Sequence, residues 1–151
     1  MPQSDKGIDF IAYDNAGRVI LVAEVKRRLG TSEHWATHFR RNMLAHGFLP
    51  KAPFFLIATP ERMYFWKQDQ QGNADEPPSF TLDAAKALKP YLERLGKPPQ
   101  GIGEQALELL VSSWLSDMAG ARGGQDSSTR WLAESGLLDL LGAGRIELNP
   151  A

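Results

Sequence analysis

The sequence predicts an α/β protein of the α+β type, with a mixed sheet core, flanking helices and a helical C-terminal part. Three observations lead there. β-Branched and aromatic residues flank a turn within residues 8–26, residues 54–58 form a short unbroken apolar run, and from residue 83 onward apolar residues recur at helical spacing. At 151 residues, with 42% hydrophobic and 23% charged side chains, the chain has the size of one domain, 1–151, with enough length for a genuine core.

The elements follow in order. Residues 8–13 and 18–26 are strands joined by Asp14-Asn15-Ala16-Gly17, which has Asp first and Gly fourth, as a type I turn prefers. A helix starts at a cap on Thr31 or Ser32 and runs to about His46, where Gly47 stops it. Trp35, Phe39 and Met43 form its buried stripe. Phe54–Ala58 reads as a strand buried on both faces, and Met63–Trp66 as one more strand. Residues 67–80 are a polar loop. Asp83–Leu95 is helical with a restart at Pro90, and Glu104–Met118 is a strong amphipathic helix with Leu107, Leu110, Val111, Trp114 and Leu115 on one face. A Gly-rich break at 119–125 precedes a last helix capped by Ser127 or Ser128, and Arg145–Leu148 is a short terminal strand.

Seventeen basic and 18 acidic residues give a net charge of −1, but the charges are segregated. Residues 18–67 hold nine Lys or Arg against three acids, a local +6, which leaves −7 for the rest. The average therefore does not argue against a polyanionic partner. The absence of cysteine excludes disulfides, thiolate nucleophiles and Cys-ligated zinc. No apolar stretch approaches the ~20 residues that span a bilayer, and Met1–Lys6 lacks a secretory pattern, so a soluble cytoplasmic protein is expected.

The chemistry-bearing residues are Asp9 on the first strand and Glu24-Val25-Lys26 at the end of the second. Alternation puts Glu24 and Lys26 on one face. With a four-residue loop, Asp9 lies opposite Val22 and diagonal to Glu24. A three-residue loop separates the two acids to opposite faces unless a bulge intervenes. Two neighbouring carboxylates repel, and a divalent cation removes that cost. Asp9, Glu24 and the Val25 carbonyl are hard oxygen ligands suited to Mg²⁺ or Mn²⁺, and a polarised water held by Lys26 would attack a phosphodiester. The simpler alternative is that Lys26 only pairs with Glu24 or Asp9 on a solvated sheet face.

An Asp on one strand of a hairpin, an acid-x-Lys on the next, then a helix and a buried strand resemble the PD-(D/E)XK nuclease superfamily over about residues 7–67. Ile8-Asp9 stands where Pro-Asp is usual, and Glu24-Val25-Lys26 is a full match. The resemblance implies a restriction-endonuclease-like core and an Mg²⁺- or Mn²⁺-dependent hydrolase in which Asp9 and Glu24 bind metal and Lys26 serves the water. DNA is the expected substrate ahead of RNA. It also implies a further strand and a preceding helix, often with a Glu that joins the site, yet only eight residues precede Asp9. We expect Glu104–Met118, in the helical part 81–148, to take that helix's place, with Glu108 or Glu104 as the supporting acid. Otherwise the helix exposes both acids.

Arg27, Arg28, His38, Arg40 and Arg41 are the candidate nucleic-acid contacts, since guanidinium groups match phosphate bidentately. Tyr64, Phe65 and Trp66 are candidates for base stacking, and His34 with His38 for zinc. Trp114, Leu115, Trp131, Leu137 and Leu138 offer a homodimer face on the C-terminal helices, or else close the chain's own core. The competing function is a catalytically inactive nuclease-fold module that binds nucleic acid or protein.

Overall fold

The computed structural model describes residues 8–46, 49–68, 73–120 and 127–149. A six-stranded mixed sheet forms the centre, built from β1 (Phe10–Tyr13), β2 (Val19–Val25), β3 (Phe54–Ala58), β4 (Arg62–Lys67), β5 (Phe80–Asp83) and β6 (Arg145–Leu148). Its order is β5-β4-β3-β2-β1-β6. Only β2 and β3 run parallel, and the helix between them, α1 (Glu33–Ala45), makes the crossover that a parallel pair requires. All five residues of β3 are buried, as an apolar run covered on both faces demands.

The two faces are covered by different parts of the chain. Val22, Phe55, Ile57, Tyr64 and Trp66 pack beneath α1, with Ala36 at the centre and Trp35, Phe39 and Met43 around it. Ser32 caps α1 by accepting from Trp35 N–H at 3.1 Å. On the other face, Phe10, Leu21, Ala23, Val25, Leu56 and Phe65 meet the C-terminal helices. Those are α2 (Ala84–Ala87), α3 (Lys89–Leu95), α4 (Glu104–Gly120), α5 (Arg130–Glu134) and α6 (Leu137–Leu141). Among the described residues no helix is long and apolar enough to cross a membrane.

Several expectations change. Phe80–Asp83, read as loop running into helix, is strand β5, paired antiparallel with β4. Four residues are too few to show a period against their polar surroundings. Asp83 still caps the helix that follows, accepting from Lys86 N–H. Ser127 and Ser128 form a 3-10 turn, while Thr129 stands at the N-terminus of α5 without a side-chain cap bond. Gly136, in the left-handed region, divides the expected last helix into α5 and α6. Of the two uses weighed for the C-terminal apolar residues, closing the chain's own core is the one seen: Trp114, Leu115, Leu137 and Leu138 are buried in it, and half-buried Trp131 packs on Phe54, Phe65 and Phe80. Tyr64, Phe65 and Trp66 are fully buried and unavailable to bases. Gly47 and most of the Gly-rich break, 121–126, lie outside the described residues.

At the junction of α6 and β6 the chain passes tightly over the end of β1. A Cβ on Gly144 would lie 1.8 Å from the Tyr13 carbonyl oxygen, a backbone atom that cannot rotate away. Gly144→Ala should therefore destabilise the fold by about 3 kcal/mol or more, measured by denaturant melting. The same substitution at the open Gly103 should cost far less.

Candidate active site

The site begins with the hairpin turn. The Asp14 carboxylate accepts from the N–H groups of Ala16 and Arg18, each at 2.9 Å, and from Arg18 Nε at 2.8 Å. These contacts, led by the Arg18 N–H, hold the Asp14 carboxyl below its usual range. Gly17 takes φ 82° and donates to the Asp14 carbonyl. The Asp14 N–H closes a three-residue loop, Asn15–Gly17, on the Arg18 carbonyl at 3.0 Å. Continued regularly, that register would set Asp9 level with Ala23, its side chain away from Glu24. A bulge prevents this. Tyr13 pairs with Val19 but Ala12 pairs with Leu21, so Ile20 is an extra residue, and the consecutive Ile20 and Leu21 both enter the same core cluster. Beyond it Phe10 pairs with Ala23, and Asp9 becomes level with Glu24. The expected four-residue loop and Asp9–Val22 register are thus replaced by a three-residue loop plus a bulge.

Asp9 ends the ladder with its side chain. Its N–H donates to the Ala23 carbonyl at 3.0 Å and its carbonyl accepts from Asn149 N–H at 2.7 Å. Its Oδ2 accepts from Val25 N–H at 2.6 Å, standing where the next main-chain acceptor would be. A strand residue aims its N–H and carbonyl to the same side, so the Val25 carbonyl also faces the Asp9 side.

Glu24 is 2% exposed. Its Oε2 lies 3.5 Å from Lys26 Nζ, and its Oε1 is buried without a hydrogen-bond partner. Burial first, then the Asp9 carboxyl alongside, push the Glu24 carboxyl up to about 9, with Lys26 acting in the opposite sense. From the opposite layer α4 brings Glu108, 7% exposed, against Asp9. Burial, Asp9 and then Glu104 push Glu108 up to about 7. Of the two acids weighed on this helix, Glu108 joins the site and Glu104 is exposed beside it. Lys26 Nζ also sits 5.4 Å from the Phe39 ring centroid. Phe39 was legible in the sequence only as part of the buried stripe, because its nearness to Lys26 depends on where α1 crosses β2.

Among the described residues no three His, Asp or Glu side chains already converge as a metal cage. The donors still suit a hard divalent cation. Asp9, Glu24 and Glu108 are carboxylates whose ionised forms repel, the Val25 carbonyl adds a neutral oxygen, and Glu24 Oε1 is a buried acceptor lacking a donor. His34 and His38 stack at 6.4 Å on the exposed side of α1, and no third ligand joins them among the described residues.

No family model, curated protein or solved structure matches this chain.

The expected nucleic-acid contacts divide. Arg27 and Arg28 are exposed directly after Lys26, and the Arg28 guanidinium is braced 5.8 Å over the Trp35 ring. His38 is exposed, and so is Arg41, which pairs with Asp75 at 3.1 Å. Arg40 is removed from the set. It is 1% exposed, donates to Gln68 Oε1 and the Asn73 carbonyl, and lies 5.3 Å over the Trp66 ring. It ties α1 to the segment after β4 and cannot reach a phosphate. In the sequence Arg40 and Arg41 look alike; their separation by one helical step decides which points inward.

The buried acids carry a pH signature. A carboxyl raised in the folded state retains its proton after the unfolded chain has lost it. Its stabilising contribution is full below the ordinary value and disappears as pH rises through the folded one. In chelator, the protein should lose stability between pH 4.5 and about 9, and Glu24→Gln should flatten that slope. Melting curves across this range with and without Mn²⁺ check both points: Mn²⁺ should raise the wild-type midpoint at pH 7.5 and leave Glu24→Gln unmoved.

Proposed function

We propose that the protein is a divalent-metal-dependent nuclease that hydrolyses phosphodiester bonds, with DNA preferred to RNA, and that it resembles the PD-(D/E)XK superfamily in fold as well as motif. One observation carries the reading: Asp9 at the end of a hairpin has Glu24 on one side and Glu108 on the other, Lys26 stands beside Glu24, and Glu24 Oε1 is left without a partner. Further support comes from topology. The β2–α1–β3 crossover is parallel, β6 lies beside β1, and α4 delivers the third acid. In this reading β6 and α4 of the C-terminal part stand for the strand and helix that the resemblance calls for.

Asp9, Glu24 and the Val25 carbonyl would hold Mg²⁺ or Mn²⁺, with Glu108 as the supporting acid. When bound, such an ion supplies Lewis-acid activation of water and neutralises phosphoryl charge. The chain's own groups do the rest. Val25 N–H fixes the Asp9 carboxylate, so its orientation is set before substrate arrives. Lys26 orients the attacking water and stabilises the phosphoryl oxygens as the P–O bond to the leaving sugar oxygen breaks. Arg27, Arg28 and Arg41 hold flanking phosphates.

Cleavage of labelled DNA in Mg²⁺ or Mn²⁺ tests this. Asp9→Ala, Glu24→Ala and Lys26→Ala should each reduce the rate about 100-fold or more. Glu108→Gln should reduce it while Glu104→Gln leaves it near wild type. Undiminished cleavage in the first three variants would refute the assignment. The Glu24–Lys26 ion pair at 3.5 Å favours one second reading, a non-catalytic nucleic-acid-binding module in which the lysine takes the cation's place. Calorimetry separates the two, because the module would bind DNA but give no specific heat with Mn²⁺.

Binding has its own test. Arg27→Ala and Arg28→Ala should each lower the slope of log affinity against log salt by about 0.9. Arg40→Ala should leave the slope unchanged and lower the melting midpoint instead.

A further inference from the structure

Strand β6 ends the sheet and pairs with β1 on one side only. The bond from Asn149 N–H to the Asp9 carbonyl sets the phase of that ladder. Arg145 and Glu147 share the phase of Asn149 and turn their main-chain groups toward β1, so Ile146 and Leu148 turn theirs outward. An unpaired edge is a template for another strand, and the two exposed charges that guard this short one, Arg145 and Glu147, are of opposite sign.

We infer that β6 pairs with β6 of a second copy of this chain, antiparallel about a two-fold axis at Ile146. This proposal does not depend on the catalytic reading. Outward groups must meet outward groups, which allows two-fold registers centred on Arg145, Ile146, Glu147 or Leu148, and centring on Arg145 sets two arginines face to face. Centred on Glu147, two glutamates stand face to face. Centred on Leu148, Glu147 faces Asn149 and no opposite charges meet. Centred on Ile146, the two Ile146 residues exchange both main-chain bonds, and each Leu148 N–H meets a Gly144 carbonyl. Arg145 then stands directly across from Glu147 of the other copy, twice over, in the pair type that brings side chains closest. Charge therefore selects one register.

Both side chains are exposed and held along one face of the strand. The Arg145 guanidinium lies 4.3 Å over the Tyr13 ring, and Tyr13 OH donates to Glu147 Oε1 at 3.1 Å. Joining four-residue strands buries much less than the roughly 1,600 Å² of a standard interface, so the dimer is weak and concentration-dependent.

Sedimentation of the full chain from low micromolar to several hundred micromolar tests the pairing. The sedimenting mass should double across the range, and amide exchange at Ile146 and Leu148 should slow as concentration rises. Arg145→Glu and Glu147→Arg each set like charges opposite one another twice, and each should stay monomeric. Mixing these two variants should restore a dimer, as should both reversals in one chain. Melting curves verify that each variant is folded, and the exchange measurement on the unaltered chain needs no variant. A wild type that stays monomeric throughout would overturn the proposal and leave the edge to a strand from another protein. Single reversals that dimerise like wild type, or mixed variants that fail to associate, would overturn it as well.

Discussion

The site depends on one main-chain contact, the bond from Val25 N–H to the Asp9 carboxylate. It exists because the hairpin carries an extra residue at Ile20. A strand pair with period two permits only same-face or opposite-face relations, and a single inserted residue converts one into the other. Here it makes Asp9 level with Glu24. The insertion is stabilised where it occurs, since Ile20 and Leu21 both bury against the C-terminal helices. Hydrophobic burial on one side of the sheet thus fixes the placement of carboxylates at its end.

Those carboxylates work against the stability of the fold when they ionise. Glu24 is buried without enough donors, and Glu108 is brought against an acid it would otherwise avoid. Such an arrangement persists because β2 and β3 are packed into both core layers and α4 into one, so no single residue can relax independently. Lys26 offsets part of the charge at 3.5 Å, a distance loose enough for the ammonium to serve another group. A divalent ion would offset much more.

Chain connectivity is the second theme. The first 67 residues supply the hairpin, the crossover helix and most of the positive charge, while the acidic remainder wraps back to cover the opposite face. Asn149, directly after its last strand, hydrogen-bonds to Asp9, and its longest helix delivers Glu108. The two parts meet at Asp9, and the candidate site lies at their junction. Arg40 differs from its neighbours within the basic part: its guanidinium ties α1 to the segment after β4, while Arg27, Arg28 and Arg41 face outward.

What the sequence determined by itself is local. Turn chemistry at Asp14–Gly17, the cap at Ser32, the apolar run of β3 and the Glu24-Val25-Lys26 spacing are set by residues near one another in the chain, and they were legible there. Only the tertiary structure decided the bulge at Ile20, the strand character of Phe80–Asp83, the burial of Arg40 and the choice of Glu108 over Glu104. Each of these rests on a partner distant in sequence: the helical layer, strand β4, Gln68 and Asn73, and Asp9 respectively. Periodicity indicates which faces are apolar. It does not indicate which of two adjacent arginines, or which of two acids one helical turn apart, will meet a partner supplied from the far end of the chain.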